Sequence, residues 1–141
     1  MDKRFPVCAA VVALASLLLG LLVHGVLLRD AYAALAAQSG LARGANLRDL
    51  LPWFVAAHLA CGTGLTWLYR QVSPRGARPL TRGLRFGAAL VLAAVLPGAL
   101  ALYALQPWPA GLMVQQLAYA GASTLVLALL LGYLDPGRTR L

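Results

Sequence analysis

Two histidines and a small set of uncharged polar residues are the side chains best placed to do chemistry in this chain: His24, His58, Tyr103, Gln115 and Gln116. Each falls inside or at the end of a long apolar run, and counting helical rise from the ends of those runs puts all five at roughly one depth. Two imidazoles on facing helices at one depth are what a b-type haem site needs, which makes His24 and His58 candidate axial ligands. The same groups could instead form a polar pocket for a quinone or a lipid headgroup. A third reading is that they satisfy one another as interhelical hydrogen bonds, worth about 0.6 kcal/mol each. All three readings require inward-facing polar groups near one end of a helical bundle.

Other chemistries lack their residues. The apolar runs contain no Asp, Glu, Lys or Arg in their interiors, and the chain has no glutamate at all. A charge inside a membrane segment is the usual mark of proton coupling or an ion path, so a small drug antiporter built on a buried carboxylate is excluded. Cys8 and Cys61 differ in depth by about 10 Å of helical rise, more than a disulfide can span. Both read as small buried apolar residues, and a thiol oxidase with paired cysteines does not fit. There is no Cys-x-x-Cys, no glycine-rich phosphate loop, no Ser, His and Asp set and no metal-ligand cluster. The expectation is a protein that is not an enzyme.

The elements that must position these residues follow from composition. Of 141 residues, 61% are apolar and 11% charged, and the mean hydropathy of +0.77 belongs to a chain that sits in lipid. The net charge of +8 comes from arginines in connectors and tails without interleaved aromatics. That pattern suits anionic headgroups at a membrane surface and not nucleic acid.

Four runs of bilayer length divide the chain, at about 6–28, 50–69, 86–105 and 110–133, as one all-α domain. The first would rise about 34 Å as a helix against a hydrocarbon core of ~30 Å. It exceeds the roughly 7 to 15 apolar residues of a secretory signal, so Ala31-Tyr32-Ala33 is read as helix and the segment as retained. The alanine-rich stretch after Leu28 extends that helix to Gly40 and Gly44. Asn46 then caps the second, with Asp49 at its positive end. Pro52 sits in the first turns, Trp53 at one interface, and Trp67 and Tyr69 at the other. Pro97-Gly98 should bend the third span. Gln106 to Pro109 makes a tight turn, Pro109 opens the fourth span, and Asp135, Pro136 and Gly137 end it, leaving Arg138 and Arg140 as a basic tail.

Orientation comes from the connector 70–85, which carries Arg70, Arg75, Arg78, Arg82 and Arg85 and no acid. With the N-terminus inside, nine basic residues are cytoplasmic and three lie outside. This gives an antiparallel up-down-up-down bundle in a bacterial inner membrane with both termini in the cytoplasm. Close helix contacts are expected at Gly25, Gly62, Gly64, Gly83, Gly87 and Gly121, because lipid supplies no hydrophobic push between helices and small residues must allow close approach. The two helical hairpins show no internal repeat, so an inverted-repeat transporter is not indicated.

Several short motifs carry a likeness: His24-Gly25-Val26-Leu27-Leu28 followed by Tyr32, Arg82-Gly83-Leu84-Arg85-Phe86-Gly87, Tyr103 to Pro107 with Pro109, and Gly132-Tyr133 with Pro136. In these the chain resembles a family of small bacterial four-helix membrane proteins. The resemblance implies helix number and length and singles out His24, Gly25 and Arg82. It implies no activity, and His58 is outside its pattern. The expected role is an accessory or assembly subunit that packs against other membrane proteins or a second copy of itself. The alternatives are a binder or carrier of haem, quinone or lipid, and a small pore.

Overall fold

The computed structural model describes residues 3–39, 47–72, 78–106 and 108–135, and among these every regular element is helical, with no strand. Helix α1 covers Arg4–Leu22 and runs on through a π-helical turn, Val23–Leu27. There the amide of Leu28 reaches back to the carbonyl of Val23 at 2.8 Å. Leu28 then leaves helical geometry, with φ −102° and ψ 3°, and α2 restarts at Arg29–Ser39. The expected continuous extension is therefore two helices with a joint. The joint has a packing reason: Leu28 is fully buried with Val23 and Leu112, and Tyr32 and Leu35 of α2 pack on that cluster. Asp30 in the first turn of α2 complements its positive end.

Helix α3 is Leu47–Val72, longer at both ends than its apolar run. Gly40, Gly44, Asn46, Pro74, Arg75 and Gly76 lie outside the described residues, as do Pro107, Pro136, Gly137, Arg138 and Arg140. Helix α4 is Pro79–Leu90 and begins at Pro79 rather than at Phe86, so with 70–72 in α3 ten of the sixteen residues of the expected basic loop are helix. Pro79 stands at the first helical position, where its fixed φ fits and its missing amide costs nothing. Arg82, Gly83, Phe86 and Gly87 form the buried face of α4. A second π-turn, Val91–Val95, joins α4 to α5, Leu96–Leu105. The Leu96 amide bonds the Val91 carbonyl, five residues back. Pro97 follows at once, so the break its ring imposes is absorbed by a turn with a wider hydrogen-bond pattern. Helix α6 is Ala110–Leu134, entered through Pro109 in extended geometry.

Three of these stretches are long and apolar enough to cross a membrane: Arg4–Leu27 with 24 residues, Pro79–Leu105 with 27 and Ala110–Leu134 with 25. They mark the chain as a membrane protein. The helices meet in two close pairs. On α3, a Cβ at Gly62 would fall 2.5 Å from the Ala13 amide and the Ala9 carbonyl of α1. On α4, a Cβ at Gly83 would fall 2.7 Å from the Ala128 carbonyl of α6, and one at Gly87 2.9 Å from the Ala128 side chain. Gly132 closes on the carbonyl of Pro79, and Gly20 faces the His58 ring. Gly25 and Gly64 face open space and Gly121 has only Val91 at 4.0 Å, so the small-residue expectation does not describe those three positions.

Val12, Tyr69, Phe86, Leu127, Ala128 and Leu131 join the two pairs in one core, with the Tyr69 and Phe86 rings edge to face at 5.2 Å. At the same end Arg70 pairs with Asp135 and lies over the Phe5 ring, and the Cys8 thiol points at the Leu134 carbonyl. Arg82, counted among the loop charges, is instead 3% exposed within the α4–α6 region.

Candidate functional site

At the opposite end of the molecule from the Arg70–Asp135 pair lies a cavity of about 470 Å³ between the α1–α2 joint and α5–α6. Its polar corner is built by three residues from three elements. His24 comes from the first π-turn, Tyr32 from the first turns of α2, and Gln116 from α6. The Tyr32 hydroxyl is the hub: the Gln116 side-chain amide donates to it at 2.7 Å, and the His24 Nδ1 lies 2.8 Å away. The His24 and Tyr32 rings also stack, with centroids 5.9 Å apart.

The fold explains why these residues meet. His24 and Tyr32 are eight residues apart, which in one straight helix would place them two turns apart along the axis. The π-turn and the joint at Leu28 break that register and let the Tyr32 hydroxyl fold back onto the imidazole. Across the cavity the second π-turn brings Val95, Gly98 and Leu102 to the wall. Both irregular turns of the backbone thus border one space, and π-turns concentrate at functional sites. Tyr103 and Trp108 close the cavity near the α5–α6 connection, and Met113, Leu117 and Ala120 form its floor on α6. None of the described residues that line it is charged.

Of the residues singled out from sequence, His24, Tyr103 and Gln116 line this cavity together. Gln115, one residue from Gln116, is exposed and is not among the lining residues. His58 has other partners. Its Nδ1 lies 2.7 Å from the Ser16 hydroxyl, its ring packs edge-on against Phe54 at 4.6 Å, and it touches Gly20. Ser16 in turn lies 3.6 Å from the Cys61 sulfur. His58 therefore ties α1 to α3 and is not among the residues that line the cavity with His24. Among the described residues no three of His, Cys, Asp and Glu are grouped to hold a metal ion.

Tyr32 and Trp108 were not among the candidate pocket residues. Tyr32 belongs to the helix extension, where nothing in the spacing ties it to His24, and Trp108 sits in the short connection that reads as a turn. The chain matches no protein-family model, no curated protein and no solved structure. The geometry of the cavity is therefore the basis for assigning a role.

Proposed function

We propose that this chain is a non-catalytic protein of a bacterial inner membrane that crosses the bilayer four times and holds a small amphipathic molecule in the cavity beside His24, Tyr32 and Gln116. The observation that carries the proposal is that cavity, an apolar space of about 470 Å³ with one hydrogen-bonding corner, within the size range of small-molecule sites. Its volume, its largely apolar walls and its few convergent polar groups suit a ligand with a polar head and a greasy body.

Membership of α3 among the spans is supported by where its polar residues point. Its composition is diluted by His58, Gly62 and Thr66, yet each of these is turned inward. His58 meets Ser16, Gly62 meets α1, and the Thr66 hydroxyl bonds the Gly62 carbonyl at 2.7 Å. Outward, α3 presents Leu51, Trp53, Val55, Leu59 and Trp67, all exposed. What a helix turns toward lipid, and not its summed composition, decides whether lipid accepts it. The orientation is supported by the basic residues: Arg4, Arg70 and Arg78 flank the helix ends that gather around Asp135.

The test is extraction. Protein purified in mild detergent and extracted into organic solvent is expected to yield a stoichiometric amphiphile by mass spectrometry, and Ala120→Phe, which fills the cavity floor, is expected to lose it. Equal recovery from both proteins would refute the proposal. An accessory role is the second reading, favoured by α5: none of its residues is buried, although it is apolar throughout. If α5 docks on another membrane subunit, the chain will co-purify with a larger complex, and substitutions on α5 away from the cavity will release it.

A further inference from the structure

We infer that the occupant of the cavity is a quinone, a neutral flat ring bearing carbonyl oxygens on an apolar tail. The inference rests on the cavity being a binding site and goes further by naming the class of ligand. Charge gives the first step. With no charged side chain among its described lining residues, a phosphate, carboxylate or ammonium head would lose its hydration without a counter-charge, which is strongly unfavourable. The head is therefore neutral.

Proton counting gives the second step. With the imidazole neutral, the His24–Tyr32 pair has two hydrogen-bonding protons, one on the ring and one on the hydroxyl. Gln116 already donates to the Tyr32 oxygen, so the single bond between His24 and Tyr32 uses one of those protons. If Tyr32 donates to Nδ1, the Nε2–H of His24 remains. If Nδ1 carries the proton and donates, the Tyr32 O–H remains. In either tautomer one donor is left over, which a ligand carbonyl oxygen can accept, while the Gln116 side-chain oxygen and, in the second case, Nε2 of His24 remain as acceptors.

Shape gives the third step. Three aromatic rings, Tyr32, Tyr103 and Trp108, line the space with the His24 imidazole, which favours a planar head. The remaining wall is apolar, and Gly98 and Leu102 of α5 are exposed. A tail can thus leave along α5 into the surrounding lipid.

The experiment uses the full chain in detergent with Trp53→Phe and Trp67→Phe, so that Trp108 is the only tryptophan. It is titrated with a short-tail benzoquinone and naphthoquinone, and separately with farnesol, an isoprenoid tail without carbonyls. The expected result is saturable quenching of Trp108 by quinone, not displaced by farnesol. A chain retaining Trp53 alone should show only linear, collisional quenching. His24→Leu should weaken the saturable phase by about tenfold, the equivalent of one hydrogen bond of ordinary strength. Tyr32→Phe, which keeps the ring and removes the hub hydroxyl, provides a second variant if His24→Leu fails to fold. Displacement of quinone by an equal concentration of farnesol would overturn the quinone assignment and keep the cavity as a general apolar site. No saturable phase with either ligand, in a chain whose helicity is intact, would overturn the cavity reading itself.

Discussion

At the scale of single residues, the glycines separate by what faces them. A Cβ at Gly62 meets backbone atoms of α1 at 2.5 Å, and backbone cannot rotate aside as a side chain can, whereas Gly64, two residues on, faces open space. Gly62→Ala is therefore expected to lower the stability of the detergent-solubilised protein by about 1–3 kcal/mol through overpacking. Gly64→Ala should be neutral or raise it by up to about 1 kcal/mol through helix propensity. Thermal melts of the two variants side by side check the contrast. Spacing alone could not separate them, because small-xxx-small patterns recur throughout an alanine-rich chain and only the partner helix decides which face is closed. Tyr69 offers a second residue-level test. Its ring is buried against Phe86, and its buried hydroxyl has no hydrogen-bond partner among the described residues. Tyr69→Phe removes an unsatisfied polar atom and keeps the packing, so the melting temperature should hold or rise. A fall of several degrees would mean that the hydroxyl has a partner outside the described residues.

At the scale of elements, the apolar runs were legible because bilayer length and hydropathy are properties of the sequence itself, and the joints were not. Nothing in Val23–Leu27 or Val91–Val95 distinguishes a π-turn from an α-turn: the first carries His24 and Gly25 and the second is wholly apolar, and both follow a leucine, a good helix former. The proline was the one readable sign. It announced a disturbance of the third span, while the form that disturbance takes, a widened turn upstream, depends on how α5 lies against α6. The same limit governs the candidate site. Depth along a helix can be counted, which grouped His24, Tyr103 and Gln116. Azimuth needs the neighbouring helix, which is why His58 and Gln115 share that depth and yet line nothing with them. Pro97→Ala tests the link between joint and site. Restoring an amide at position 97 should let the Val91–Val95 turn tighten to α-helix, slowing amide exchange there several-fold, and should move Val95 and Gly98 off the cavity wall. Retention of the bound amphiphile is expected to fall in the same variant. Slower exchange with undiminished retention would separate the turn from the site.

At the scale of the whole molecule, the number of crossings is the property on which every other assignment depends, and α3 decides it. Three stretches qualify as spans on length and composition, and a chain with three crossings and an inside N-terminus would end outside. The packing argues for a fourth. Gly62 touches Ala9 and Ala13, His58 touches Ser16 and Gly20, and Phe5 lies under Arg70, so α3 follows α1 from one end nearly to the other. On the proposed four-crossing reading, α3 crosses beside α1 because it is bound along that helix over this length. His58 is bonded to Ser16 of the partner and Thr66 to the Gly62 carbonyl of its own helix, and Leu51, Trp53, Val55, Leu59 and Trp67 are exposed. On that proposed topology, with the start of α1 inside, the first turns of α3 face outward and the last turn of α6 faces the cytoplasm. A periplasm-active reporter fused after Leu141 is then expected to be silent and a cytoplasm-active one bright, with the pattern reversed for a fusion at residue 43. The reverse signal at Leu141 would leave α3 on the surface. The α1–α3 interface and the polarity of every helix after it would then have to be given up together.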